Sequence, residues 1–125
     1  MAQFLVDTNL IVDVLRGYKQ SADFIDTLPN ANISVITWYE LIEGVENLDQ
    51  LRSLNKYLSG FEVIQVSEEI SQRTLELMHL FNLPYGLKHD DALIAATCVE
   101  YGFTLLTLNL KHFKFIDGLT AVSPY

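Results

Sequence analysis

The stretch Phe4-Leu5-Val6-Asp7-Thr8-Asn9, near the start of the chain, decides the fold. A short apolar run that stops at a polar residue is typical of a buried strand in a parallel sheet. The next segment, 10–17, is apolar at helical spacing and ends in glycine, which predicts a helix directly after the strand. In open α/β sheets the binding crevice lies beyond the carboxyl ends of the strands. Asp7 therefore lies at the position where we expect a catalytic or binding residue.

The rest of the chain alternates between strand-like and helix-like segments. Strands are predicted at 3–6, 32–36, 61–66, 103–108 and 119–122. Helices are predicted at 9–16, 20–28, 37–43, 48–58, 67–81 and from 89 or 90 to 101, with a helical turn at 111–115. Pro84 and Gly86 indicate a loop over 82–88. This order predicts one α/β domain spanning 1–125, with a central parallel sheet flanked by helices on both faces.

The composition excludes several classes of protein. The chain has 16 acidic residues against 8 lysines and arginines, a formal charge of −8. A simple nucleic-acid scaffold is expected to be basic, whereas a metal-dependent nuclease is compatible because a divalent cation reverses the local field. No apolar run approaches the roughly 18 residues of a membrane span, and the start lacks the basic region of a secretory signal. With Cys98 as the one cysteine, we expect a cytoplasmic protein without membrane association.

Three acids stand out because their neighbours are apolar: Asp7, Glu40 and Asp91. Each has a local explanation. Asp7 could cap the first helix, Glu40 could be the capping-box partner of Thr37, and Asp91 could be favoured by its helix dipole. Three carboxylates at one sheet edge repel each other unless they are protonated or neutralised. A hard cation resolves this conflict, and Mg²⁺ or Mn²⁺ suits carboxylate and water ligands best.

Asp90 competes with Asp91 for the third position. Asp91 shares a helix face with small apolar residues three, four and seven positions on, so it is predicted to point inward, and we choose it. Asn109 follows a predicted strand and could hold a water or a phosphate oxygen, or cap a loop. Lys88, Lys111 and Lys114 are candidates for phosphate contacts, with solvated surface lysines as the alternative. No histidine has a partner at zinc spacing.

Four blocks of the chain, in order, resemble those of PIN-domain ribonucleases, and above all the VapC-type toxins of toxin–antitoxin pairs. The blocks are Asp7-Thr8-Asn9, then Thr37-Trp38-Tyr39-Glu40-Leu41 with Gly44, then Asp91-Ala92-Leu93-Ile94-Ala95-Ala96-Thr97, then Thr107-Leu108-Asn109 with Phe113. The resemblance implies a Rossmann-like PIN fold and a Mg²⁺- or Mn²⁺-dependent endoribonuclease that hydrolyses RNA phosphodiester bonds. It implies that Asp7, Glu40 and Asp91 are the catalytic metal ligands, with Thr8 orienting a ligand or water. It also implies a VapB-type antitoxin partner and a homodimer.

Two departures from the family pattern leave other functions open. Many members have an acid where this chain has Asn109, and a basic residue where it has Leu108. A binding module that holds RNA or an antitoxin without cutting is therefore one alternative. An aspartyl-phosphate phosphotransferase is another, although such enzymes usually carry a second acid two residues after the first, where this chain has Asn9.

Overall fold

The computed structural model describes residues 3–125, so Met1 and Ala2, on which the signal-peptide prediction partly rests, lie outside the described residues. Its strands are β1 Phe4–Val6, β2 Ala31–Ser34, β3 Glu62–Ile64, β4 Thr104–Leu106 and β5 Thr120–Val122. Its helices are α1 Thr8–Leu15, α2 Lys19–Asp26, α3 Val35–Glu43, α4 Leu48–Leu58, α5 Glu68–Tyr85 and α6 His89–Tyr101, with a 3₁₀ turn at Leu110–His112. Within 3–125, none of these helices is long and apolar enough to cross a membrane.

The five strands form one parallel sheet in the order β3-β2-β1-β4-β5. The predicted α/β fold with a central parallel sheet is therefore confirmed. The chain winds outward in opposite directions from β1, so the order reverses between β1 and β4. Such a switch point leaves a crevice at the carboxyl ends of the strands. Asp7 follows β1 and Thr107 closely follows β4, so both lie at this crevice.

The sheet has a separate apolar core on each face. Leu5 and Leu105 belong to the cluster that packs under α5 and α6, whereas Val6 and Leu106 belong to the cluster under α1, α3 and α4. Successive side chains of a strand point to opposite faces, which is why the apolar run of β1 has no polar interruption. The core fixes the end of β1, and with it the position of Asp7.

The start of α3 differs from the prediction. The β-branched run suggested a strand to residue 36 and a cap at Thr37, but the strand ends at Ser34. The Ser34 hydroxyl accepts a hydrogen bond from the Ile36 N–H at 3.2 Å and caps the helix. Thr37 is buried within the helix. The capping-box explanation of Glu40 is therefore wrong, because a side-chain cap at Ser34 overrides the strand preference of the residues after it.

The predicted loop at 82–88 is also partly wrong, since α5 continues to Tyr85. Pro84 lies in the exposed last turn, so α5 passes through a residue that supplies no N–H donor before it ends. The helix ends at Gly86, whose φ of 72° is left-handed. The Asn82 amide donates to the Leu87 carbonyl oxygen at 2.9 Å and fixes the turn. The extra turn carries Tyr85 to the rim of the crevice.

Candidate active site

Asp7 is the most buried acid of the crevice, with 5% of its surface exposed. Its Oδ1 accepts a hydrogen bond from the Thr8 backbone N–H at 2.8 Å, which caps α1. Its Oδ2 accepts from the Thr107 hydroxyl at 2.7 Å and from the Asn9 amide at 3.3 Å. The predicted helix cap is therefore confirmed, and the same carboxylate also lines the cavity described below. Asp7 therefore caps α1 and lies at the cavity at the same time.

Glu40 reaches the crevice from the middle of α3. Its Oε1 accepts a hydrogen bond from the Thr8 hydroxyl at 3.0 Å. The Thr8 and Thr37 hydroxyl oxygens lie 2.9 Å apart. Because Thr8 has one hydroxyl proton and gives it to Glu40, Thr37 donates to Thr8. This relay holds the Glu40 carboxylate in one orientation, which gives both threonines a positioning role.

The first turn of α6 brings two acids to the same place, not one. Asp91 Oδ2 lies 3.4 Å from His112 Nδ1. Asp90 lies close enough to Glu40 and to Asp7 for its charge to raise the pKa of both. Helix periodicity predicted Asp91 alone as the third acid, and zinc spacing gave no role to the histidines. The structure places Asp90, Asp91 and His112 together, because the first turn of α6 and the 3₁₀ turn that follows β4 lie at the same cavity.

These groups line one cavity of about 560 Å³ at the carboxyl edge of the sheet. The predicted residues Thr8, Asn109 and Lys111 line it too, whereas Lys114 is not among its lining residues. The polar lining residues are Asp7, Thr8, Asn9, Glu40, Tyr85, Lys88, Asp90, Asp91, Asn109, Lys111 and His112. In the part of the chain that the structure describes, no lysine or arginine forms an ion pair with any of the four acids.

The crowding changes the acidity of the carboxylates. Burial raises the pKa of Asp7 above its usual value, against the opposing effect of the Thr107 and Thr8 hydrogen bonds. Burial, with the Asp90 and Asp7 charges, raises the pKa of Glu40 to about 7. Burial and the same neighbouring charges raise the pKa of Asp91 to about 6, although His112 opposes this. The site holds more negative charge than the protein neutralises at neutral pH.

The donor set fits a hard divalent cation in its chemistry. The available ligands are carboxylate oxygens with an amide and hydroxyls nearby, which is the set that Mg²⁺ and Mn²⁺ prefer. A cation would also offset the burial and the mutual repulsion that raise the carboxylate pKa values. Across residues 3–125, no three His, Cys, Asp or Glu side chains already form a group that could hold a metal ion. The acids thus line one cavity without converging on a single point.

The protein is thus an α/β domain with a parallel sheet, and four acids lie where its strand order reverses. The model of the PIN domain family matches residues 4–119. The chain belongs to the PIN domain family. This match confirms the predicted family. It gives no support to the alternative of an aspartyl-phosphate phosphotransferase.

Similar proteins indicate which branch of the PIN domain family this chain resembles. The chain is 31% identical to Ribonuclease VapC1 of Rickettsia felis, covering 95% of this chain and 94% of that one. It is 30% identical to Ribonuclease VapC1 of Methanocaldococcus jannaschii, covering 90% of this chain and 80% of that one. A solved toxin–antitoxin complex from Klebsiella pneumoniae contains a similar chain, with a TM-score of 0.83 and 33% identity over 100% of this chain and 98% of that one. The predicted resemblance to VapC-type toxins is confirmed.

Proposed function

We propose that this chain is a Mg²⁺- or Mn²⁺-dependent endoribonuclease and the toxin of a toxin–antitoxin pair. The observation that carries the proposal is the cluster of Asp7, Glu40, Asp90 and Asp91 around one cavity, with no lysine or arginine paired to them within 3–125. Membership of the PIN domain family and the ribonuclease names of its relatives support the substrate class. The negative cavity would repel an RNA phosphate on its own, so the proposal requires a cation.

Asp7, Glu40 and Asp91 would hold the cation. When bound, such a cation lowers the pKa of a water and stabilises negative charge on the phosphate. The chain itself supplies positioning. Thr107 and the Thr8 backbone fix both oxygens of Asp7, and the Thr8 hydroxyl fixes one oxygen of Glu40.

The rim of the cavity supplies positive charge for the RNA backbone. Lys88 and Lys111 are exposed and line the cavity beside the acids. Lysines at such a rim contact phosphates and position the strand without reading its sequence. Asn109 lies at the same rim and offers a neutral amide to a phosphate oxygen. The cleaved strand would thus lie across the rim, with the scissile phosphate over the acids.

The test is cleavage of a mixed cellular RNA pool by the purified chain, in Mg²⁺ or Mn²⁺ and in chelator. We expect discrete products that need the metal and disappear in the Asp91→Asn variant. Glu43→Gln is the matched control, because Glu43 lies on α3 with Glu40 but is exposed and outside the cavity. Binding of RNA without metal-dependent cleavage would favour the binding module instead.

A VapB-type antitoxin is the proposed partner, since the similar chain in the Klebsiella pneumoniae structure belongs to a toxin–antitoxin complex. A groove of about 850 Å³ between α1, α3 and α4 opens beside Glu40 and could receive it. We further propose a homodimer, supported by the outer face of α5, where Leu83 is 94% exposed and Leu80 is 55% exposed. Sedimentation of the purified chain measures the dimer, and loss of cleavage on adding the purified antitoxin measures the partnership.

A further inference from the structure

The aromatic ring of Tyr85 has no role in the proposed cleavage chemistry. Its ring stacks on the ring of Phe115, with centroids 4.4 Å apart and planes 6° apart. Phe81 packs against both rings at a tilt. Tyr85 is nevertheless 60% exposed. Because Phe115 covers one face of the ring, the exposed surface includes the opposite face.

The position of this ring matters as much as its exposure. Tyr85 and Phe115 line the same cavity as the four acids, and Lys88 and Lys111 line it with them. An open aromatic face beside basic side chains is the combination by which proteins bind single-stranded nucleic acid, with stacking for the bases and lysines for the phosphates. An exposed aromatic ring without basic neighbours would not indicate a nucleic-acid site, because exposed apolar side chains are common on protein surfaces.

The backbone holds the ring in place. Tyr85 is the last residue of α5 and follows Pro84. The Gly86 N–H donates to the Asn82 carbonyl oxygen at 2.7 Å, and the Asn82 side chain fixes the next turn. A ring that is fixed before binding loses little conformational entropy when a base stacks on it.

We propose that Tyr85 is a base-stacking platform for an unpaired nucleotide of the RNA substrate, next to the phosphate over the acids. The proposal rests on the proposed ribonuclease function and adds a substrate subsite to it. It predicts a preference for single-stranded RNA, because bases inside a duplex have both faces stacked on neighbouring bases. The subsite is tolerant of base identity, since every base has a stacking face.

The chain contains a matched control at the opposite edge of the sheet. Tyr101 is 54% exposed, ends α6 before a left-handed glycine, and stacks on Phe103 at 5.1 Å and 11°. It lines a cavity at the amino ends of the strands, away from the four acids. The same substitution at Tyr101 therefore removes the same kind of ring without touching the proposed subsite.

The test uses the Asp7→Asn chain, which we expect to bind RNA without cutting it, and single-stranded oligoribonucleotides carrying 2-aminopurine at successive positions. In this background, Tyr85→Phe should bind as the parent does and quench the fluorescence at one position. Tyr85→Leu should lose that quenching and bind about 5- to 100-fold more weakly. Tyr101→Leu should behave as the parent does. Thermal unfolding checks that both leucine variants remain folded.

A Tyr85→Leu affinity within twofold of the parent, or an equal loss of affinity in Tyr101→Leu, would overturn the inference while the proposed function stands. If Tyr85→Leu changes the molecular mass of the protein in solution but not its RNA binding, the inference is also overturned, because the ring would then belong to a protein interface. Absence of metal-dependent cleavage by the unmodified chain would overturn the proposed function and this subsite with it.

Discussion

Replacing Glu40 with glutamine should make the metal-free protein more stable at neutral pH. Glu40 has a pKa of about 7 in the folded chain, against an ordinary value of 4.5. Between these two pH values Glu40 is ionised in the unfolded chain but still protonated in the folded chain. A rise in pH over this range therefore stabilises the unfolded state relative to the folded state. Native stability therefore falls as pH rises from 4.5 to about 7 and then stays lower. Glutamine cannot ionise, and its Oε1 can still accept the Thr8 hydrogen bond, so the variant escapes this loss.

The size of the effect follows from the two pKa values. A tenfold change in proton affinity corresponds to about 1.4 kcal/mol, which gives about 3 kcal/mol for Glu40. Because the side chain is partly solvent-accessible, screening reduces this to about 1–2 kcal/mol. For a domain of this size that is a rise in melting temperature of about 3–6 °C.

Thermal or urea unfolding in chelator measures the difference, with Glu43→Gln as the control. We expect Glu40→Gln to exceed the native chain at pH 8 and to match it near pH 4.5. Saturating Mg²⁺ should remove the advantage, since the native carboxylate then has a cation beside it. An advantage that is the same at pH 4.5 and pH 8, or that Glu43→Gln shares, would refute the reasoning.

Four further outcomes are expected. Asp7→Asn should abolish cleavage and leave the fold intact, as seen by circular dichroism, because the Asn Oδ1 can still cap α1 at Thr8. Asp91→Asn should likewise abolish cleavage, whereas Asp90→Asn should lower the rate about tenfold; an unchanged rate in Asp90→Asn would exclude Asp90 from the site. Thr107→Val should destabilise the chain by about 1–2 kcal/mol and slow cleavage, because the 2.7 Å hydrogen bond to Asp7 is lost; Thr107→Ser should restore both. Mg²⁺ should raise the melting temperature of the native chain by more than that of Asp7→Asn, which keeps Glu40, Asp90 and Asp91 for a weaker site, as measured by calorimetry.

The helix and strand boundaries show where local sequence is sufficient. Helix α4 has its predicted bounds, 48–58, and the structure shows that the Asn47 side chain caps its start. The start of α3 was misplaced because two influences compete there, the strand preference of a β-branched run and the capping hydroxyl of Ser34. The end of α5 was misplaced because a proline is typical of a helix stop, whereas α5 continues through the exposed Pro84 and is capped by the left-handed Gly86.

The sequence by itself determined the parallel α/β class, the buried strand that ends at Asp7, and Glu40 and Asp91 as candidate acids. These follow from local apolar periodicity and from polar residues at the ends of apolar runs. Only the tertiary structure decided that Thr107 bonds to Asp7 across 100 positions of sequence, that Thr37 supports Glu40 through Thr8, and that Asp90 joins the site. The physical reason is strand order: β4 lies beside β1 because of how the whole chain packs, and no local pattern encodes which strands become neighbours.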